Sequence, residues 1–157
     1  MNTILTAQID ILHQTQAIRT DLMNTLADAD LAYKLPGGNP TLGELCRESG
    51  QVEQSYIEAF KTFKQSFAYP AVDPQLETSV DQLKGWYQQL DAELEAVLLA
   101  LSDEQIQNQS IDRGWPVQIN SQFHIYREAL LIFYAKASCT LRAMGKALPP
   151  QMSAWIG

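Results

Sequence analysis

Apolar residues recur three and four apart along four long stretches of this chain, the repeat that collects side chains on one face of a helix. In the longest stretch, Asn120 to Gly145, these positions are Phe123, Tyr126, Leu130, Phe133, Ala137, Leu141 and Met144. No proline or internal glycine interrupts it, and Gly145 followed by Pro149 and Pro150 supplies the stop. Its centre, Ala129 to Ala137, is apolar almost all round, the pattern of a helix buried on several sides. The first stretch covers residues 3 to 30. There Ile4, Ile11 and Ile18 repeat every seven residues beside Leu5, Leu12, Leu22 and Leu26, a bundle-type stripe. Asp28, Asp30 and then LPGGNP (Leu35 to Pro40) end it, because two glycines between two prolines make a turn.

The second stretch opens at Thr41, where Thr41 and Glu44 have capping-box spacing. It runs through Leu45, Val52, Tyr56, Phe60 and Phe63 to about Ser66. A proline-rich connection, AYPAVDP, leads to the third, which opens at Thr78 with Asp81 in box register. Its stripe is Val80, Leu83, Trp86, Leu90, Leu94, Val97 and Leu101. Ser102 and Gln105 mark another helix start, with room only for a short turn. Residues 108–116 read as an irregular loop or a small hairpin with Trp115 as its anchor. Trp155 and Ile156 in the tail are expected to pack back on the bundle. The pattern predicts an all-α, up-down four-helix bundle, one domain over residues 1–157, with no internal repeat.

Length and composition agree: 157 residues, 46% hydrophobic and 18% charged, suit one globular core. The net charge of -7, with 11 Lys and Arg scattered singly, argues against a nucleic-acid partner or an anionic membrane surface. No run of apolar residues is long enough to span a bilayer, and the N-terminus lacks the basic region of a signal peptide. Only Cys46 and Cys139 occur, both in helical patterns, so a reducing, cytoplasmic setting is expected.

Three segments carry a resemblance. TLGELCRESGQVEQ (Thr41 to Gln54) resembles the opening of the second helix in the DinB-like superfamily. ALSDEQIQ (Ala100 to Gln107) with the Trp115-Pro116 turn, and LRAMGKALP (Leu141 to Pro149), resemble that family's last third. The resemblance implies a DinB-like bundle. Family members commonly hold a divalent metal on three histidines, one in the second helix and two spaced i, i+4 in the last. Carried over, these positions are Glu48, Ala129 and Phe133 here. Ala129 and Phe133 have no donor atoms, so the usual site is expected to be absent and no cofactor is expected.

Other candidates remain. His124 and Glu128 share a helix face and could hold Zn, Ni or Mn with Glu48 or Glu44, although His-Glu at this spacing is also an ordinary surface pair. His13 reads as a surface residue. Glu44 and Glu48 could act as acid and base if buried; the plainer assignment makes Glu44 a helix cap and gives Glu48 a cationic partner. If Glu48 is buried beside Phe133, it needs Arg127, Tyr134 or Lys136, or it stays protonated. Cys46 and Cys139 lack the cationic or CxxC context of reactive thiols. Glu44, Tyr126, Phe133 and Tyr134 are the residues expected around an inter-helix pocket.

The function expected from this is a metal-free, non-catalytic binding or interaction protein, assembled as a homodimer. The alternatives are a metal-dependent hydrolase or thiol-dependent transferase on the rebuilt site, and a small-molecule binder using the aromatic pocket.

Overall fold

The computed structural model describes residues 2–156. Four long helices make the bundle: α2 (Ile9–Thr25), α3 (Leu42–Thr62), α4 (Val80–Ala100) and α6 (Ile119–Ala143). Three short helices, α1 (Thr3–Thr6), α5 (Asp103–Asn108) and α7 (Pro150–Ile156), close its ends. One antiparallel hairpin, β1 (Ser110–Asp112) and β2 (Pro116–Gln118), precedes α6, with Ile111 opposite Val117. The core between the long helices includes Leu12, Ile18, Leu22, Phe60, Leu83, Leu94, Phe123 and Leu141, all essentially out of solvent.

The helix starts follow their side chains. Thr41 and Glu44 form the reciprocal box that opens α3: the Glu44 N–H donates to Thr41 Oγ1 (3.0 Å) and the Thr41 N–H to Glu44 Oε2 (2.7 Å). Ser102 and Gln105 do the same for α5, at 3.1 and 2.9 Å. The turn between the prolines is closed by the Leu42 N–H donating to the Tyr33 carbonyl (2.8 Å), with Gly37 at φ 86°. The cap of α4 lies one residue later than Thr78. Thr78 closes a short 3-10 turn (Pro74–Glu77), and Ser79 caps α4.

Several expectations are corrected. The first helix is not continuous from 3 to 30. It breaks at Ala7 and Gln8, where the Thr6 hydroxyl and the Gln8 amide bond to the carbonyls of Asn2 and Ile4 and compete with the helical ladder. The break lets Asn2 cap α1 and also donate to the Leu98 and Leu101 carbonyls at the end of α4 (2.7 and 3.0 Å). α2 then ends at Thr25, before a 3-10 turn (Asp28–Ala32). α3 stops at Thr62, short of Ser66, because Phe63 turns left-handed (φ 56°). The chain beyond it pairs with β1: Gln65 N–H to Asp112 O (2.8 Å) and Asp112 N–H to Phe63 O (2.9 Å).

Trp115 is not an anchor. It sits at the hairpin tip, 63% exposed, and the hairpin is held by buried Ile111 and by Arg113. In the tail, Met152 is fully buried, Ile156 packs only partly, and Trp155 is exposed. The centre of α6 is not buried all round either. Its outer face carries Ile132 (58% exposed), Lys136 and Cys139. That open face borders a cleft lined by Glu48, Ala129 and Phe133.

Candidate functional site

α3 and α6 lie side by side and leave between them a cavity of about 150 Å³. α3 contributes Leu45, Glu48, Ser49 and Val52, four positions within two turns of one face. α6 contributes Tyr126, Ala129, Leu130, Ile132, Phe133 and Lys136. Ala129 leaves room where neighbouring positions carry large side chains, which is the local reason the helices do not fill the gap. Most of the wall is hydrocarbon. The polar groups are the Glu48 carboxylate, the Ser49 and Tyr126 hydroxyls and the Lys136 ammonium. Glu48 and Lys136 are both exposed, on opposite helices, and neither enters an ion pair with the other or with any other described residue.

Behind the Tyr126 wall lies a buried charge network. Arg19 of α2, 1% exposed, donates from Nη1 to Glu53 Oε2 of α3 and from Nη2 to Asp91 Oδ1 of α4, both at 2.6 Å. Its guanidinium also stacks 4.0 Å above the Tyr87 ring. Glu53 is fully out of solvent, and burial, together with nearby Asp91, outweighs Arg19 and pushes its carboxyl up to about 7. Burial also raises Asp91. The surrounding phenols are held protonated by burial. Tyr134 donates to the Thr15 carbonyl (2.7 Å) and Tyr87 to the Cys46 carbonyl (2.6 Å). The Tyr126 hydroxyl is buried without a hydrogen-bond partner among the described residues.

The remaining candidates fall in separate places. Glu44 caps α3 and is not part of the cavity wall; its carboxyl is lowered by the Thr41 backbone N–H. Tyr134 is fully buried on the side of α2. Tyr126 and Phe133 do line the cavity. His13 pairs with Glu95 at the surface (3.0 Å). His124 is half-buried with its ring against Phe123, and Glu128 is exposed. Arg47 pairs with Glu77 (2.9 Å), not with Glu48. Because Glu48 is exposed, the anticipated need for a buried partner does not arise. Burial pushes the Cys46 thiol up to about 12, while Cys139 is exposed; both are free.

The three positions expected from the family's site, Glu48, Ala129 and Phe133, thus meet in one cleft of a helical bundle. The family model described as the DinB superfamily matches residues 11–131. The chain belongs to the DinB superfamily. The match takes in Glu48 and Ala129 and ends two residues before Phe133. No curated protein matches the chain.

For a member of the DinB superfamily the cleft has an unsuitable donor set for a divalent metal. A tetrahedral or octahedral ion needs three or more convergent nitrogen, sulfur or oxygen ligands. Here two of the three positions end in hydrocarbon, and Lys136 places a competing cation on the wall. Among the described residues no three His, Cys, Asp or Glu side chains gather into a group that could hold an ion, Glu48, His124 and Glu128 included. Nor is any described helix long and apolar enough to cross a membrane.

Sequence reasoning missed the Arg19–Glu53–Asp91 network. Its signal was present: Leu5, Leu12, Arg19 and Leu26 repeat every seven residues, so Arg19 occupies a core position of the stripe.

Proposed function

We propose that this DinB-superfamily protein is a metal-free, non-catalytic binding protein whose ligand occupies the cleft between α3 and α6. One observation carries this reading. The positions Glu48, Ala129 and Phe133, which the family resemblance implies for a metal, line a single mostly apolar cavity of about 150 Å³. Replacing ligating imidazoles by a methyl and a phenyl group exchanges a polar, ion-holding cleft for one that favours apolar guests. An apolar cavity of roughly this volume accommodates a molecule the size of benzene. The charge network behind Tyr126 has a structural role in the same reading, fixing α2, α3 and α4 around the floor of the cleft.

The test is calorimetric titration with small neutral apolar compounds such as toluene and 3-methylbutan-1-ol, on the wild type and on Ala129→Leu. The larger side chain projects into the cavity. The reading predicts saturable binding to the wild type, loss of that binding in Ala129→Leu, and a melting temperature in the variant that does not fall. Equal binding by both proteins would place the guest elsewhere, and no binding to the wild type would end the proposal.

A further inference from the structure

The cavity mouth carries two charges that no described residue pairs with: the Glu48 carboxylate on α3 and the Lys136 ammonium on α6. We infer that the cleft takes a small zwitterion of the α-amino-acid class, its apolar side chain in the cavity and its ammonium and carboxylate groups at the rim. The inference rests on the binding function proposed above and names the ligand class.

The charges at the rim complement those of a zwitterion. Glu48 and Lys136 stand on the two helices that flank the opening, so opposite charges face the space where a guest's polar end must lie. A guest bearing only a carboxylate would meet Lys136 favourably but bring a like charge near Glu48, and an amine has the converse problem. A zwitterion satisfies both, its ammonium donating to Glu48 and its carboxylate accepting from Lys136. The two protein charges do not neutralise one another, since they form no ion pair. Pairing with a guest is therefore a gain, not an exchange of one protein contact for another. Ser49, nearly buried on the α3 wall one residue from Glu48, makes no side-chain hydrogen bond among the described residues and offers a further polar contact.

Size narrows the class. A volume of about 150 Å³ suits an apolar arm of about six carbons or fewer, judged by the benzene-sized guests that such cavities hold. Branched aliphatic and phenyl side chains fall in this range. Most of the wall, Leu45, Val52, Leu130, Ile132 and Phe133 with Ala129, is hydrocarbon, which favours an apolar arm over a polar one.

The experiment is calorimetric titration of the full chain with four compounds sharing one branched arm. These are L-leucine, 3-methylbutylamine (no carboxylate), 4-methylpentanoate (no amine) and 3-methylbutan-1-ol (no charge). L-leucine is expected to bind tightest, with affinity falling about threefold to tenfold for each charge removed. Lys136→Gln should abolish the advantage of L-leucine over the amine, and Glu48→Gln its advantage over the carboxylate. Both positions are exposed, so both variants should fold. If the uncharged alcohol binds as well as L-leucine, the zwitterion inference is overturned and the apolar cleft stands. If none of the four binds, both are overturned.

Discussion

Arg19→Met tests the buried network directly. The guanidinium is 1% exposed, makes two 2.6 Å contacts to carboxylates on different helices and lies 4.0 Å over Tyr87. Methionine keeps much of the stem's volume but removes the charge, both hydrogen bonds and the stacking on Tyr87, leaving Glu53 and Asp91 facing one another in the core. Removing one partner of a buried ion pair costs about 3–5 kcal/mol, because the other partner stays desolvated and unpaired. For a chain of this length that corresponds to a fall in melting temperature of roughly 6–20 °C. The loss should depend on pH. In the wild type Glu53 holds its proton up to about 7, above its ordinary 4.5, so the folded state binds that proton more tightly than the unfolded chain. Between those values stability falls as pH rises. Without Arg19 both carboxyls move further up, each unit adding about 1.4 kcal/mol to the pH-dependent loss. Arg19→Met should therefore be more damaging near pH 7.5 than near pH 5, two conditions on either side of most of that titration. Urea unfolding of both proteins at the two conditions, followed by circular dichroism, reads this out. A loss below about 1 kcal/mol, the range of a surface pair, or a loss that shrinks as pH rises, would refute the reasoning.

Three further outcomes follow from packing and exposure. Gly50→Ala should destabilise by about 1–3 kcal/mol, because its Cβ would lie 2.2 Å from the Trp86 ring. Gly43→Ala, 2.0 Å from the Glu77 carbonyl oxygen, should do at least as much, and Gly85→Ala, with open space, should stabilise by about 0.5–1 kcal/mol; chemical denaturation ranks all three. A thiol reagent should label Cys139 quickly in the native protein and reach Cys46, buried with its thiol pushed up to about 12, only on unfolding; mass spectrometry of the labelled chain shows which. Installing histidines at Glu48, Ala129 and Phe133 together should create zinc binding, since the three positions converge on one cavity; zinc titration that shows no uptake would mean the backbone spacing there cannot hold an ion.

The stripes and caps were legible because they are local. Thr41 with Glu44, and Ser102 with Gln105, act within one turn, and LPGGNP leaves the chain no helical option. The convergence of Glu48, Ala129 and Phe133 was legible only through family resemblance, since nothing in the spacing of 48 and 129 tells that they meet. Arg19 was hidden for the opposite reason. Its position in the heptad announced burial, but the partners that make burial tolerable, Glu53 and Asp91, come from other helices. Trp115 misled because aromatic size suggested an anchor, whereas Gly114 at φ 92° puts it at the tip of a hairpin, and Arg113 reaches back to Tyr56 and Gln122 instead. Apolarity around α6 suggested burial on all sides. The helix is instead a wall with one open face, and the cleft lies along that face.

The most direct test of a metal-free cleft is the metal content of the protein, purified without chelator or affinity-tag nickel and measured by elemental analysis before and after incubation with zinc, nickel and manganese. The donor set around Glu48, Ala129 and Phe133 predicts a value near zero that does not rise. Stoichiometric metal in the wild type, lost in Glu48→Ala or His124→Ala, would contradict it.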